Sequence, residues 1–134
     1  MNNLNLIEIF SILIIHFIGD FVLQTDKQAK GKSKNWRDLL SHTLTYSGFW
    51  LFIGTIWSIS SNIYTHFNYL FDWWIVWKFS IITFIFHTIT DYFTSRLNSK
   101  LWTKGDVHNF FVSIGFDQIL HYVQLFLTYQ LLKP

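Results

Sequence analysis

The chain has 134 residues, of which 51% are apolar, 21% aromatic and 13% charged, with a net charge of +2. A soluble domain of this length would struggle to cover so much apolar surface, and so small a charge leaves no footprint for nucleic acid. Cysteine is absent, which excludes disulfides and thiolate metal sites.

In chain order the sequence predicts four apolar spans. The first covers about 4–23; Met1–Leu6 carries no positive charge and no small-residue cleavage site follows, so it reads as a span and not as a cleavable signal peptide. Lys27, Lys30, Lys32, Lys34 and Arg37 then form a basic stretch. The second span, about 38–60, lies in the run Leu39–Phe71, which has no Asp, Glu, Lys or Arg and exceeds the ~20 residues needed to cross ~30 Å of hydrocarbon. Asp38, or Asn35 a turn earlier, is its expected start. After a loop without Lys or Arg (Ser61–Phe71) comes the third span, about 73–95, and then a second basic stretch with Arg96, Lys100 and Lys104. The fourth span, about 109–132, is expected to start at Asp106 with Asn109 three residues on.

The positive-inside bias puts both basic stretches in the cytoplasm and both termini outside. Trp36 and Trp102 then fall at the inner interface, and Trp57, Trp73, Trp74 and Trp77 near the outer one. The expected architecture is a single domain, 1–134, folded as an all-α antiparallel four-helix bundle in a membrane, touching lipids and no nucleic acid. The interrupted spans and a mean hydropathy of +0.27 leave a soluble helical bundle as the alternative. Oligomeric state is not legible.

Four of the six histidines have an aspartate four residues away, one pair per span: His16/Asp20, Asp38/His42, His87/Asp91 and Asp117/His121. With seven aspartates, chance would supply roughly 0.6 such matches. The order of His and Asp alternates from span to span, so in an antiparallel bundle every pair points the same way. Residues at i and i+4 share a helix face, and the pairs can therefore meet at one centre near the cytoplasmic side, a ring of imidazoles with carboxylates about 5–6 Å nearer the cytoplasm. Gln24 and Tyr46 extend the first two series. Gly19, Gly48 and Gly115 lie beside the pairs, where small residues let helices approach closely.

A lone His/Asp pair is usually a surface or capping feature, and Asp38 can serve as a helix cap. Asp20, Asp91 and Asp117 differ: a carboxylate inside an apolar span costs on the order of 2.5–3.5 kcal/mol at the centre and requires compensation. A divalent metal or a proton relay would provide it. Imidazole and carboxylate without sulfur suit zinc first, with manganese or iron as alternatives. The expected metal ligands are His16, Asp20, His42, His87, Asp91, Asp117 and His121. Glu8 and Lys78 read as interface anchors or an ion pair, His66 with Asn62 and Asn68 as loop polarity, and His108 as a rim ligand, a general acid or a helix-start residue.

The run His16-Phe-Ile-Gly-Asp20-Phe-Val-Leu-Gln24, with His42, His87-x3-Asp91-Tyr92 and Gly115-Phe116-Asp117-Gln118-x2-His121, resembles the small bacterial and phage membrane proteins grouped as domain of unknown function 3307. These in turn resemble inner-membrane proteins described as metal-dependent hydrolases. The resemblance implies a multi-pass protein of a bacterial cytoplasmic membrane with a metal site. It also implies a second histidine soon after the position of His42, where this chain has Thr43, Leu44, Thr45, Tyr46 and Ser47.

The favoured function is metal-assisted hydrolysis of a phosphoester or lipid-like substrate at the inner leaflet. Asp20 or Asp117 would take a proton from water, and Gln24, Tyr46, Tyr92, His108 and Gln118 would support the ligands or orient substrate. A membrane structural or interaction protein stabilised by a metal, and a proton or metal carrier, stay as alternatives.

Overall fold

A computed structural model describes residues 5–64 and 73–133 of the chain. These residues are helical, with no strand among them. Helix α1 (Leu6–Phe17) starts at Asn5, whose side chain accepts from the Glu8 amide while Glu8 accepts from the Asn5 amide, so two otherwise unpaired N–H groups are satisfied. It runs on into a π-helical turn, Ile18–Val22, that carries Gly19 and Asp20 on its buried side. Such widened turns occur most often at functional sites. A short helix unforeseen from the sequence, α2 (Asp26–Gly31), is opened by a Thr25/Gln28 capping box and folds onto α3 (Trp36–Tyr64). Gln28 Nε2 donates to Ser41 Oγ at 3.0 Å across that contact. A side chain at Gly31 would collide with Asp38, which is why the approach requires glycine.

Helix α4 (Trp73–Thr103) continues about two turns past the expected end of the third span, because nothing breaks it before Gly105. Gly105 takes φ +71°, and the Gly105 and Asp106 amides close onto Trp102 and Leu101. Helix α5 (Val107–Leu132) begins where expected, capped by Asp106. The Asn109 side chain and amide both donate to that carboxylate and hold it below its ordinary range.

Side-chain pairings set the directions. His42 meets His87 and Ser80 Oγ reaches the Ser47 carbonyl, so α3 and α4 are antiparallel. His87 meets His121 and Gln124 reaches Thr83, so α4 and α5 are antiparallel. Tyr129 and Lys133 close onto Glu8, which brings the end of α5 to the start of α1. The cation facing Glu8 is thus Lys133, and Lys78 lies exposed elsewhere.

Burial runs against the pattern of a water-soluble domain. Among the described residues 18 polar or ionisable side chains are buried against six apolar ones, while large apolar side chains cover the outside of all the long helices. The small apolar cluster of Ile12, Tyr46, Trp50 and Leu125 sits on one flank of the polar interior. By length and composition α4 and α5 are able to cross a membrane. Helix α3, free of charge from Leu39 to Tyr64, does not meet the same test, because Ser, Thr and Gly are interleaved through it. Of the three glycines expected to permit close packing only Gly19 does, lying where a Cβ would stand 2.9 Å from the Tyr46 ring; Gly48 and Gly115 face open space. Residues 65–72, which include His66 and Asn68, lie outside the described part.

Candidate metal centre

Each of the four apolar spans delivers a histidine to one interior site, and three of them an aspartate as well. Three of the four pairs remain within ion-pair range: His16 Nε2 to Asp20 Oδ2 at 3.7 Å, His87 Nε2 to Asp91 Oδ2 at 3.7 Å, and His121 Nε2 to Asp117 Oδ1 at 3.4 Å. The fourth does not form. Asp38 accepts from Asn35 Nδ2 at 2.8 Å and its amide donates to Asn35 Oδ1, so Asn35 caps α3 and Asp38 is spent on that cap.

The two-layer arrangement expected from helical rise is also absent. Contacts between helices are as close as those within them, and carboxylates and imidazoles interleave. Asp20 Oδ1 lies 3.0 Å from His42 Nε2 and 3.5 Å from His87 Nε2. Asp91 Oδ2 lies 3.2 Å from His42 Nε2, and the two imidazole nitrogens of His42 and His87 are 3.1 Å apart. Every one of these residues is buried, with His87 fully so.

Asp20, His42, His87 and Asp91 each offer one donor atom to a common centre. Five of the six separations among those atoms fall at 3.0–3.7 Å, around the edge of a tetrahedron with metal bonds of about 2.0–2.1 Å, which is about 3.3 Å. Asp20, Asp117 and His121 form a second, overlapping group. The donor chemistry therefore fits a divalent ion, and the charge fits as well. Three buried carboxylates face one ammonium, so with neutral imidazoles two negative charges need a partner.

That ammonium belongs to Lys32, and nothing beyond its place in a basic stretch marked it in the sequence. From the end of α2 it donates to Asp91 Oδ2 at 2.9 Å. Burial alone would push its pKa down, but the Asp91 and Asp20 carboxylates outweigh that and hold it above the ordinary lysine value.

Around this core the polar supports hold ring orientations. Gln24 Nε2 sits 3.0 Å from His42 Nδ1. Tyr46 stacks on His87 with ring centres 4.0 Å apart, and its hydroxyl is 2.7 Å from His16 Nδ1. Gln118 joins three groups: its Oε1 is 2.9 Å from His16 Nε2, and its Nε2 donates to Asp117 Oδ2 at 3.1 Å and towards Asp20 Oδ2 at 3.4 Å. His16 thus has both nitrogens engaged by Tyr46 and Gln118 and stands beside the donor groups, not within them. Two expected residues are not brought in. Tyr92 stacks on Trp36 at 4.9 Å under the Arg96 guanidinium, and His108 is exposed at the start of α5.

The chain belongs to the family described as protein of unknown function (DUF3307), which matches residues 9–134. No curated protein and no solved structure matches it.

Proposed function

We propose that this protein is a membrane-embedded, metal-dependent hydrolase acting on a phosphoester or lipid-like ester presented from the inner leaflet of a bacterial cytoplasmic membrane. The single observation that carries the reading is the four-atom cage of Asp20, His42, His87 and Asp91 buried beneath a lysine-bearing loop. The inverted burial supports a four-helix bundle in lipid: where hydrocarbon surrounds the protein, apolar side chains belong outside and polar groups inside. Both basic stretches lie at the end of the bundle reached by Lys32 and the C-terminal part of α4, which favours a cytoplasmic position for that end and outward termini.

Zinc suits a buried N/O cage of this size. A divalent ion there supplies Lewis acidity and makes water a competent nucleophile near neutral pH. The residues do the rest. Asp117 is the better placed of the two expected proton acceptors, because Asp20 gives one oxygen to His42 and the other to Gln118, whereas Asp117 Oδ1 is buried without a hydrogen bond. The water oxygen would bond to phosphorus as its proton passes to the Asp117 carboxylate, and the P–O ester bond would break with that proton handed on to the ester oxygen, which leaves as the alcohol. Lys32 and the neighbouring basic residues favour an anionic substrate at this mouth.

The test is chelator-sensitive hydrolysis by the purified protein in vesicles, using a panel of phosphomonoesters, phospholipids and isoprenoid phosphates. Asp117→Asn should abolish turnover and leave the ion in the four-atom cage. A second reading, a metal that only stabilises the fold, draws on the fact that four protein donors can fill a tetrahedral ion completely. Full metal occupancy with the whole panel untouched would establish that reading instead.

A further inference from the structure

The two donor groups share more than a residue, and the geometry points to a two-ion centre bridged by Asp20 and Asp91, built for a phosphate monoester. The inference rests on the metal-dependent reading above and goes beyond it in ion number and substrate class.

Each of the two carboxylates has its oxygens turned to different sides. Asp91 places Oδ2 against His42 and His87 and Oδ1 3.4 Å from His121 Nε2. Asp20 places Oδ1 against the same His42 and His87 and Oδ2 towards Gln118, the residue that also holds Asp117. On the His121 side Asp117 Oδ1 and His121 Nε2 are both buried and lie 3.4 Å apart, within ion-pair range but with no hydrogen bond to either atom. A buried carboxylate oxygen and a buried imidazole nitrogen without hydrogen bonds destabilise a fold unless something is bound between them. Both separations at His121 Nε2, to Asp91 Oδ1 and to Asp117 Oδ1, equal the edge of a four-coordinate cage with bonds of about 2.0–2.1 Å. His87 connects the halves, with Nε2 in the first cage and Nδ1 3.1 Å from His121 Nδ1.

His42 and His87 then hold one ion, Asp117 and His121 the other, and Asp20 and Asp91 span both, the arrangement that keeps two ions about 3.5–4 Å apart in phosphoryl-transfer enzymes. Asp117 would then hold the second ion through Oδ1 while Gln118 donates to its Oδ2. Charge names the substrate class. Two divalent ions and Lys32 against three carboxylates leave an excess of two positive charges, the complement of a phosphate monoester dianion.

The experiment is manganese loading of the purified protein in detergent, with stoichiometry by mass spectrometry and coupling by electron paramagnetic resonance. Two ions per chain with the spectrum of an exchange-coupled pair are expected, falling to one uncoupled ion in Asp117→Asn and in His121→Ala. Asp117→Asn preserves shape, and circular dichroism establishes that the helices persist. One ion in the unaltered protein, or two without coupling, overturns the bridged centre and leaves the single-metal reading intact. No ion at all overturns both.

Discussion

The two ends of this molecule treat buried charge in opposite ways. At the start of α1, Glu8 meets Lys133 and Tyr129, so one carboxylate, one ammonium and one hydroxyl satisfy each other at a partly exposed rim. At the other end Asp20, Asp91 and Asp117 crowd four imidazoles with Lys32 as their only ammonium among the described residues, and Asp117 Oδ1 and His121 Nε2 are buried without a hydrogen bond. A self-satisfied pair needs nothing further to explain it, whereas an unbalanced cluster of carboxylates and imidazoles inside a fold is of the kind that could hold a metal ion. The difference is between charge that fastens two helix ends and charge arranged to receive something.

The most damaging way to attack that contrast is to remove imidazoles from the cage. His42→Ala and His87→Ala should each weaken divalent metal binding by more than about 100-fold, beyond the ~10–100-fold typical of losing an outer support, as read by competition with a chromogenic chelator. Gln24→Ala and Tyr46→Phe, which touch the rings of His42 and His16 and not the ion, should fall inside that ~10–100-fold range. Equal losses in both sets would mean that the cage is misassigned.

Lys32→Met sharpens the comparison in the other direction. If its ammonium occupies Asp91 in the absence of metal, removing it should tighten metal binding on the order of tenfold, the equivalent of a charge-assisted hydrogen bond of about 1.5 kcal/mol. Weaker binding in this variant would make Lys32 part of the support and not a competitor. The smallest effect is expected at the far end. Glu8→Gln should cost no more than about 1 kcal/mol in thermal or denaturant stability and leave metal affinity unchanged, as befits a partly exposed ion pair.

Much of this site was legible because chemistry and periodicity agreed: of the seven expected ligands singled out by an aspartate four residues from a histidine, repeated in alternating order, six fall within the two overlapping donor groups. His16 stands beside those groups with both ring nitrogens engaged by Tyr46 and Gln118, which spacing alone cannot reveal. Asp38, expected at the start of its helix with Asn35, is held there by Asn35 and so does not join the cluster. The π turn at Ile18–Val22 and the reach of Lys32 from α2 were invisible, because both arise from packing between helices and have no periodic signature. Helix ends fared well where a cap and a glycine spoke together, as at Gly105 and Asp106, and poorly where apolar sequence simply continued, as in α4.

X-ray absorption at the metal edge of the purified protein tests the central claim most directly. The account predicts a divalent ion surrounded only by nitrogen and oxygen at about 2.0–2.1 Å, with the outer-sphere scattering of imidazole and its loss in His87→Ala. A correctly folded protein from metal-replete cells that carries no divalent ion, or one whose ion keeps all its imidazole scattering in His87→Ala, would contradict it.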